Sequence, residues 1–200
     1  MPIEISTVKP PPKLDEEPAA KSDPRVTRII EGTILFIALV LGLVLRLGVL
    51  ESARVVSGSM KPTLAVNDTL LIDHRSSLHG KWKRGDIVLF NAPPQWESDD
   101  ATFVKRIIGL PGEKLDIMPD DAIYVDGKKL NEKYTSKLRY VQQHMIEVLG
   151  PGEYFVMGDN RGNSDDSRDR GPIKDEDIRG RVILRLTPLS SFGKIAPPDY

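Results

Sequence analysis

The order of hydrophobic and polar positions divides the chain into three stretches. Residues 1–28 carry few apolar side chains and are interrupted by Pro2, Pro10, Pro11, Pro12, Pro18 and Pro24. Lys9, Lys13, Lys21, Arg25 and Arg28 are balanced there by Glu4, Asp15, Glu16, Glu17 and Asp23. Such a stretch buries too little apolar surface to offset the entropy of ordering, so it is expected to be a disordered tail. Residues 29–50 reverse the pattern. Ile34 to Leu45 contains no polar side chain, and Glu31, Thr33 and Arg46 are the polar ones between Ile29 and Leu50. As a helix this stretch would reach about 33 Å, enough to cross a bilayer. It is apolar all round, where a core helix would be striped. A hydrophilic leader precedes it, which argues against a cleaved targeting segment. The pattern therefore predicts a transmembrane helix over 29–50. Lys21, Arg25 and Arg28 flank one end, and Arg46 and Arg54 the other. The positive-inside bias favours a cytoplasmic N-terminus and a chain that continues outside.

Residues 51–200 alternate short β-prone runs with turn signals. The runs are Thr69–Ile72, Asp86–Phe90, Phe103–Ile108, Ala122–Val125, Tyr154–Met157 and Arg181–Leu186. Pro93-Pro94, Pro111-Gly112, Asp126-Gly127 and Pro151-Gly152 punctuate them. Asp126-Gly127, between Ile123-Tyr124-Val125 and Lys128-Lys129-Leu130, predicts a hairpin. No long amphipathic helical pattern competes. The expected fold class is mainly β, an antiparallel sheet system or barrel.

Composition removes several chemistries. Lys plus Arg number 28 against 29 Asp plus Glu, so the net charge is −1 and no global attraction to nucleic acid is expected. Cysteine is absent, which excludes a thiol nucleophile, Cys-ligated metal and disulfides. His74, His79 and His144 are the three histidines, so a Ser–His–Asp triad has three possible bases, none of them in a motif.

Three clusters hold candidate chemistry. Ser57-Gly58-Ser59-Met60-Lys61-Pro62-Thr63-Leu64 follows the apolar run, and Gly58 permits a sharp turn that exposes a hydroxyl. It lacks the opening glycine of a G-x-S-x-G elbow, and a Ser-Gly-Ser segment alone is usually only a turn. In Phe103–Glu113 a lysine sits within an apolar strand. Period-two alternation puts Phe103, Lys105 and Ile107 on one face and Val104, Arg106 and Ile108 on the other. Burial lowers a lysine pKa, and a base working near pH 8 requires a drop of roughly 2 units, or about 3 kcal/mol. An edge lysine with its ammonium group in water is the plainer alternative. The third cluster, Gly158–Gly171, interleaves Asp, Asn and Arg. As a calcium loop it fails, because Arg161 and Ser164 occupy positions that require a ligand and a glycine. A solvated loop or an ion-paired, structured one remains. Arg84-Gly85-Asp86 is expected to be a turn.

The ordered set of membrane helix, Ser-Gly-Ser-Met-x-Pro-Thr-Leu, Lys-Arg-Ile-Ile-Gly-Leu-Pro-Gly and Gly-Asp-Asn-Arg-x-x-Ser-x-Asp-Ser-Arg resembles bacterial type I signal peptidase over roughly residues 30–190. The resemblance implies a catalytic domain of coiled antiparallel sheets behind one anchor, with residues 114–150 as a reduced β insertion. It implies removal of N-terminal signal peptides from exported preproteins by a Ser–Lys dyad. Cleavage would follow small residues at Ala-x-Ala sites, without metal or cofactor. Carried over by position, Ser59 is the nucleophile, Lys105 the base and Ser57 the oxyanion donor, while Ser164 orients the lysine. Asp159, Asp166, Arg168 and Arg106 fall on structural ion-pairing positions, with Arg106 a partner for Asp159. Val55, Leu64, Leu70 and Val104 fall near the substrate pockets. Implied partners are signal peptides, the lipid bilayer and the secretion translocon, with the peptidase domain periplasmic. Val56 departs from the proline of many members, and Asp169-Arg170 from their aromatic residues. A catalytically degenerate interaction module of the same fold is the competing expectation, against which the intact Ser57, Ser59, Lys105 and Ser164 weigh.

Overall fold

A computed structural model of the chain describes residues 24–46, 50–75, 82–97, 101–136, 144–195 and 198. The proline-rich tail up to residue 23 lies outside the described residues. The first element is helix α1 (Pro24–Arg46). Its 23 residues give a length of about 34 Å. Over Arg25–Leu43 the mean hydropathy is 2.0 and the span is unburied, with Ile29, Leu35, Phe36 and Leu39 each about two-thirds exposed. By length and composition it can cross a bilayer. It begins earlier and ends earlier than the expected 29–50. Pro24 has the fixed φ suited to a first helical turn, and Arg25 and Arg28 are good helix formers that extend the helix beyond the apolar run. At the other end, Leu50 is taken into a strand, where it lies opposite Asp73.

Gly42–Tyr200 forms a separate compact unit. Its strands are β1 (Leu50–Arg54), β2 (Thr69–Asp73), β3 (Ile87–Asn91), β4 (Thr102–Gly109), β5 (Lys114–Ile117), β6 (Ile123–Val125), β7 (Lys128–Lys129), β8 (Met145–Val148), β9 (Glu153–Met157), β10 (Ile173–Lys174) and β11 (Ile178–Thr187). A seven-stranded sheet has the order β1-β2-β11-β3-β4-β9-β10, and a four-stranded sheet the order β7-β6-β5-β8. Every paired strand is antiparallel. The fold is thus mainly β, as the alternation of short apolar runs predicts. The Asp126-Gly127 hairpin is present, joining β6 to β7 with φ of 48° and 79° at its two turn residues.

Strand β4 holds the site together because three apolar clusters meet along it. Ile107 belongs to a cluster with Val88, Phe90, Trp96 and Val156. Val104 packs against Val55, Met60, Leu64, Leu70 and Leu89. Ile108 joins Leu115, Ile117, Phe155 and Met157 under the small sheet. An irregularity in the β4–β9 register between Ile107 and Gly109 lets successive apolar residues face different clusters. Gly109 allows the small sheet to close on β4, since a Cβ there would fall 2.5 Å from Leu115 Cδ1 and 2.7 Å from Leu149 Cδ1. A strand buried from several sides gives Lys105 no short route to water.

Candidate active site

The Ser57–Ser59 turn leaves the end of β1 and is fixed by its backbone. Val55 N–H donates to Asp68 O at 2.9 Å, and Asn67 N–H to Val55 O at 2.8 Å. Met60 and Leu64 anchor it to the core, with 1% and 0% of their surface exposed. From the other side Asn160 clamps it: its backbone N–H donates to Ser59 O and its side-chain amide to Gly58 O, each at 2.9 Å. The Ser59 hydroxyl lies 3.1 Å from that of Ser57.

Lys105 stands in the middle of β4, opposite Val88 of β3, and is 3% exposed. Its Nζ donates to Ser164 Oγ at 2.9 Å and lies 5.9 Å from the Phe103 ring centre. Burial holds the amine below the ordinary lysine pKa. The carboxylates of Asp166 and Asp165 pull it back up, and the Arg168 guanidinium pushes it down. In this state Ser59 and Lys105 are hydrogen-bonded to their neighbours, Ser57 and Ser164, and not to each other. Gly158 bridges the two halves. A Cβ there would fall 2.3 Å from Ser164 Oγ and 2.5 Å from Ser59 O, so the backbone of the serine turn and the partner of Lys105 close on a glycine.

Behind these groups lies a buried ionic network. Arg106 grips Asp159 with two hydrogen bonds, Nε to Oδ1 at 2.8 Å and Nη2 to Oδ2 at 2.6 Å. The side chains are 2% and 1% exposed. Thr63 also donates to Asp159, Arg106 Nη1 donates to Gly85 O, and the guanidinium stacks 4.2 Å over the Tyr134 ring. Arg168 grips Asp166 in the same way, at 2.9 and 3.0 Å, and reaches Asp121 at 3.2 Å. Burial raises the Asp166 pKa, but its bonds to Arg168 and to the Gly158 N–H outweigh that and hold it below the usual carboxylate range. Asp166 also caps the short helix α2 (Ser167–Arg170). Arg161 pairs with Asp121 and Glu132. Arg161, Asp121 and Glu132 are members of the network that sequence reasoning missed. Arg161 stands inside a recognised motif, but Asp121 and Glu132 lie in ordinary turn sequence with nothing to mark them.

A cleft of about 280 Å³ opens beside Ser57 and Ser59. Val55, Met60, Leu89 and Val104 line it. Of the four expected pocket residues, Val55 and Val104 reach the cleft. Leu64 and Leu70 are fully buried in the cluster behind Val55, where they shape the wall and do not line it. Ser164 borders a separate polar recess with Gly162, Asn163, Asp165 and Asp169. Neither described histidine bonds to the serines: His74 is engaged by Glu51 and the Arg179 carbonyl, and His144 by Asp116. His79 lies outside the described residues.

The family model for signal peptidase, peptidase S26, matches residues 27–187. The chain belongs to the signal peptidase family. It is 33% identical to signal peptidase I of Leptolyngbya laminosa, over 91% of each chain. It is 40% identical to signal peptidase I T of Bacillus subtilis, over 80% of this chain and 86% of that one. A crystal structure of a signal peptidase I from Enterococcus faecalis aligns with a TM-score of 0.43 at 33% identity, covering 51% of this chain and 97% of that chain. As a family member the chain is a serine endopeptidase that acts on the signal peptides of preproteins. A serine peptidase requires a hydroxyl nucleophile, and the cleft is lined by the hydroxyls of Ser57 and Ser59.

Proposed function

We propose that this signal peptidase is anchored by α1 and cleaves by a Ser59–Lys105 dyad. The observation that carries the reading is Lys105: a fully buried lysine, depressed in pKa, hydrogen-bonded to a serine beside the Ser59 turn. Neutral Lys105 takes the Ser59 proton as the hydroxyl attacks the scissile carbonyl. The step requires Ser59 Oγ to rotate from Ser57 towards Lys105, and it frees Ser57 to donate. Ser57 Oγ and the Ser59 N–H then hold the oxyanion. Lys105 passes its proton to the departing amine, and water, deprotonated by the same lysine, hydrolyses the acyl-enzyme. Ser164 fixes the lysine head. Val55 and Val104 present a narrow apolar wall that suits small side chains at positions −1 and −3. The peptidase domain works on the extracytoplasmic side, where preproteins emerge, close to the translocon, and residues 114–150 form the family's insertion in reduced form.

The pH dependence has a definite sign. Protonated Lys105 is inactive, so kcat/KM rises with pH through a midpoint below the ordinary lysine value. Asp165 pulls that midpoint up, and its side chain is half exposed. Asp165→Asn is expected to move the rising limb to lower pH, read from kcat/KM against a peptide with an Ala-x-Ala site. A limb that stays in place would show that the Asp165 carboxylate does not act on the titrating base.

Gly158→Ala tests the closeness of the two halves. The new methyl must displace Ser164 or the Ser59 carbonyl by a sizeable fraction of an ångström, and misplacements of that order cost about 100-fold in rate. The expected result is a loss of that size in kcat with peptide binding to the cleft retained. Unchanged kcat in Gly158→Ala would contradict the geometry.

A further inference from the structure

Ser59 shares a peptide unit with Gly58, and that unit is held at its carbonyl end. The Gly58 carbonyl accepts two hydrogen bonds, from Asn160 Nδ2 at 2.9 Å and from Lys61 N–H at 3.2 Å. At the other edge of the same plane, the Ser59 N–H donates to no acceptor among the described residues. The bond between the two residues is trans. Such a unit is flat, with its C=O and N–H pointing in opposite directions. Fixing the carbonyl therefore fixes the direction of the N–H, which is away from the Asn160 amide. The next plane is fixed as well, because Asn160 N–H donates to Ser59 O at 2.9 Å. One residue thus holds both peptide units that flank the Ser59 Cα.

Asn160 is itself placed by its surroundings. Its carbonyl accepts from Asn163 N–H at 2.9 Å. Its two neighbours bridge to Ser136, which donates to Asp159 O at 2.9 Å and accepts from Arg161 N–H at 3.1 Å. The residue is 6% exposed. Its amide can sit only one way round, since reversal would bring its oxygen against the Gly58 oxygen, two acceptors together. In the orientation found, Asn160 Oδ1 is buried and has no hydrogen-bond partner among the described residues. An unpaired buried carbonyl is a cost to folding. A leucine of similar size would fill the space without that cost. What asparagine supplies there, and leucine does not, is the N–H on Gly58 O.

That hydrogen bond bears on the chemistry. An amide whose carbonyl accepts hydrogen bonds is more strongly polarised, so its N–H is a better donor. A donor aimed before the reaction stabilises charge as it develops, without reorganisation. We infer that Asn160 is the positioning residue of the oxyanion hole, its side-chain amide aiming and polarising the Ser59 N–H through the Gly58 carbonyl. The inference rests on the proposed reading of Ser59 as the nucleophile and of its N–H as an oxyanion donor. Asn160 touches no reacting atom, and its effect falls on the transition state and not on the bound peptide.

The test compares Asn160→Leu and Asn160→Ala with the wild type and with Ser59→Ala, each as the full chain in detergent, on a peptide with one Ala-x-Ala site. Losing an oxyanion donor outright costs about 100- to 1000-fold, so a donor kept but misdirected and less polarised should cost about 10- to 100-fold in kcat, with KM unchanged. Leucine should not restore what alanine loses. A peptide aldehyde ending at the −1 alanine forms a tetrahedral adduct with a serine hydroxyl, and its affinity should fall by the same factor as kcat/KM. Asn160→Leu removes the unpaired oxygen together with the hydrogen bond, so it should melt close to the wild-type temperature in a circular-dichroism scan. Wild-type kcat in Asn160→Leu would overturn the inference, as would a fall in kcat that the aldehyde affinity does not share. A fall in kcat explained by unfolding of Asn160→Leu at the assay temperature would make the residue structural and overturn it too. If Ser59→Ala loses cleavage while Asn160→Leu keeps it, the inference fails and the dyad stands. If Ser59→Ala still cleaves, the dyad fails and the inference falls with it.

Discussion

Ser59→Ala is expected to lose signal-peptide cleavage by about 10⁴-fold or more, because no other group near the cleft can replace a covalent nucleophile. Lys105→Met should lose as much, since the remaining neighbours of the Ser59 hydroxyl, Ser57 among them, are too weakly basic to take its proton. Double replacement should cost no more than either change alone, because the two residues act as one unit. Ser57→Ala should lose less, about 100- to 1000-fold, as one oxyanion donor of two. Lys105→Met also separates chemistry from folding. Its amine has a folded-state pKa below the unfolded one, so the unfolded chain binds the proton more tightly. Lysine therefore lowers stability at neutral pH, and this cost disappears as pH rises towards the unfolded lysine value. A methionine removes the cost, so the dead variant should melt at or above the wild-type temperature at pH 7, with the difference narrowing at alkaline pH. The measurement is preprotein cleavage alongside a circular-dichroism melt. Cleavage by a folded Ser59→Ala protein would refute the dyad.

Much of this arrangement is legible in the chain because its signals are local. Alternating apolar runs mark the strands, Asp126-Gly127 marks a hairpin, and Phe103 and Ile107 single out Lys105 without deciding between a buried lysine and an edge one. Three kinds of feature are not local. The limits of α1 depend on Leu50 pairing with Asp73 across a sheet, which no window of sequence contains. Strands β1, β5 and β8 are half-exposed and carry charges, as in Leu50-Glu51-Ser52-Ala53-Arg54, so their apolar pattern is weak. The ionic network draws Asp121, Glu132 and Arg161 from distant turns, and acid–base pairs leave no periodicity. Leu64 and Leu70 show the limit from the other side. The family resemblance implies that they lie near the substrate pockets, but only packing decides that Val55 and Val104 form the cleft's surface while they form its backing.

Arg106→Met is expected to destabilise the domain by about 3–5 kcal/mol, because it strips the buried Asp159 of its guanidinium partner. The carboxylate has few alternatives. Thr63 already donates to it, and the side chain is 1% exposed. For a domain of this size about 1 kcal/mol shifts the melting temperature by roughly 2–4 °C, so the variant should melt roughly 6–20 °C lower. A double variant, Arg106→Met with Asp159→Leu, removes both charges and should recover most of the loss, since matched apolar replacements of buried pairs are often neutral. It would still impair catalysis, because Asp159 precedes Asn160, whose two bonds hold the Ser57–Ser59 turn. Thermal unfolding of the two variants, with cleavage assayed in parallel, checks all three statements. A melting temperature for Arg106→Met within about 2 °C of the wild type would show that water reaches Asp159 and that the pair does not brace the turn.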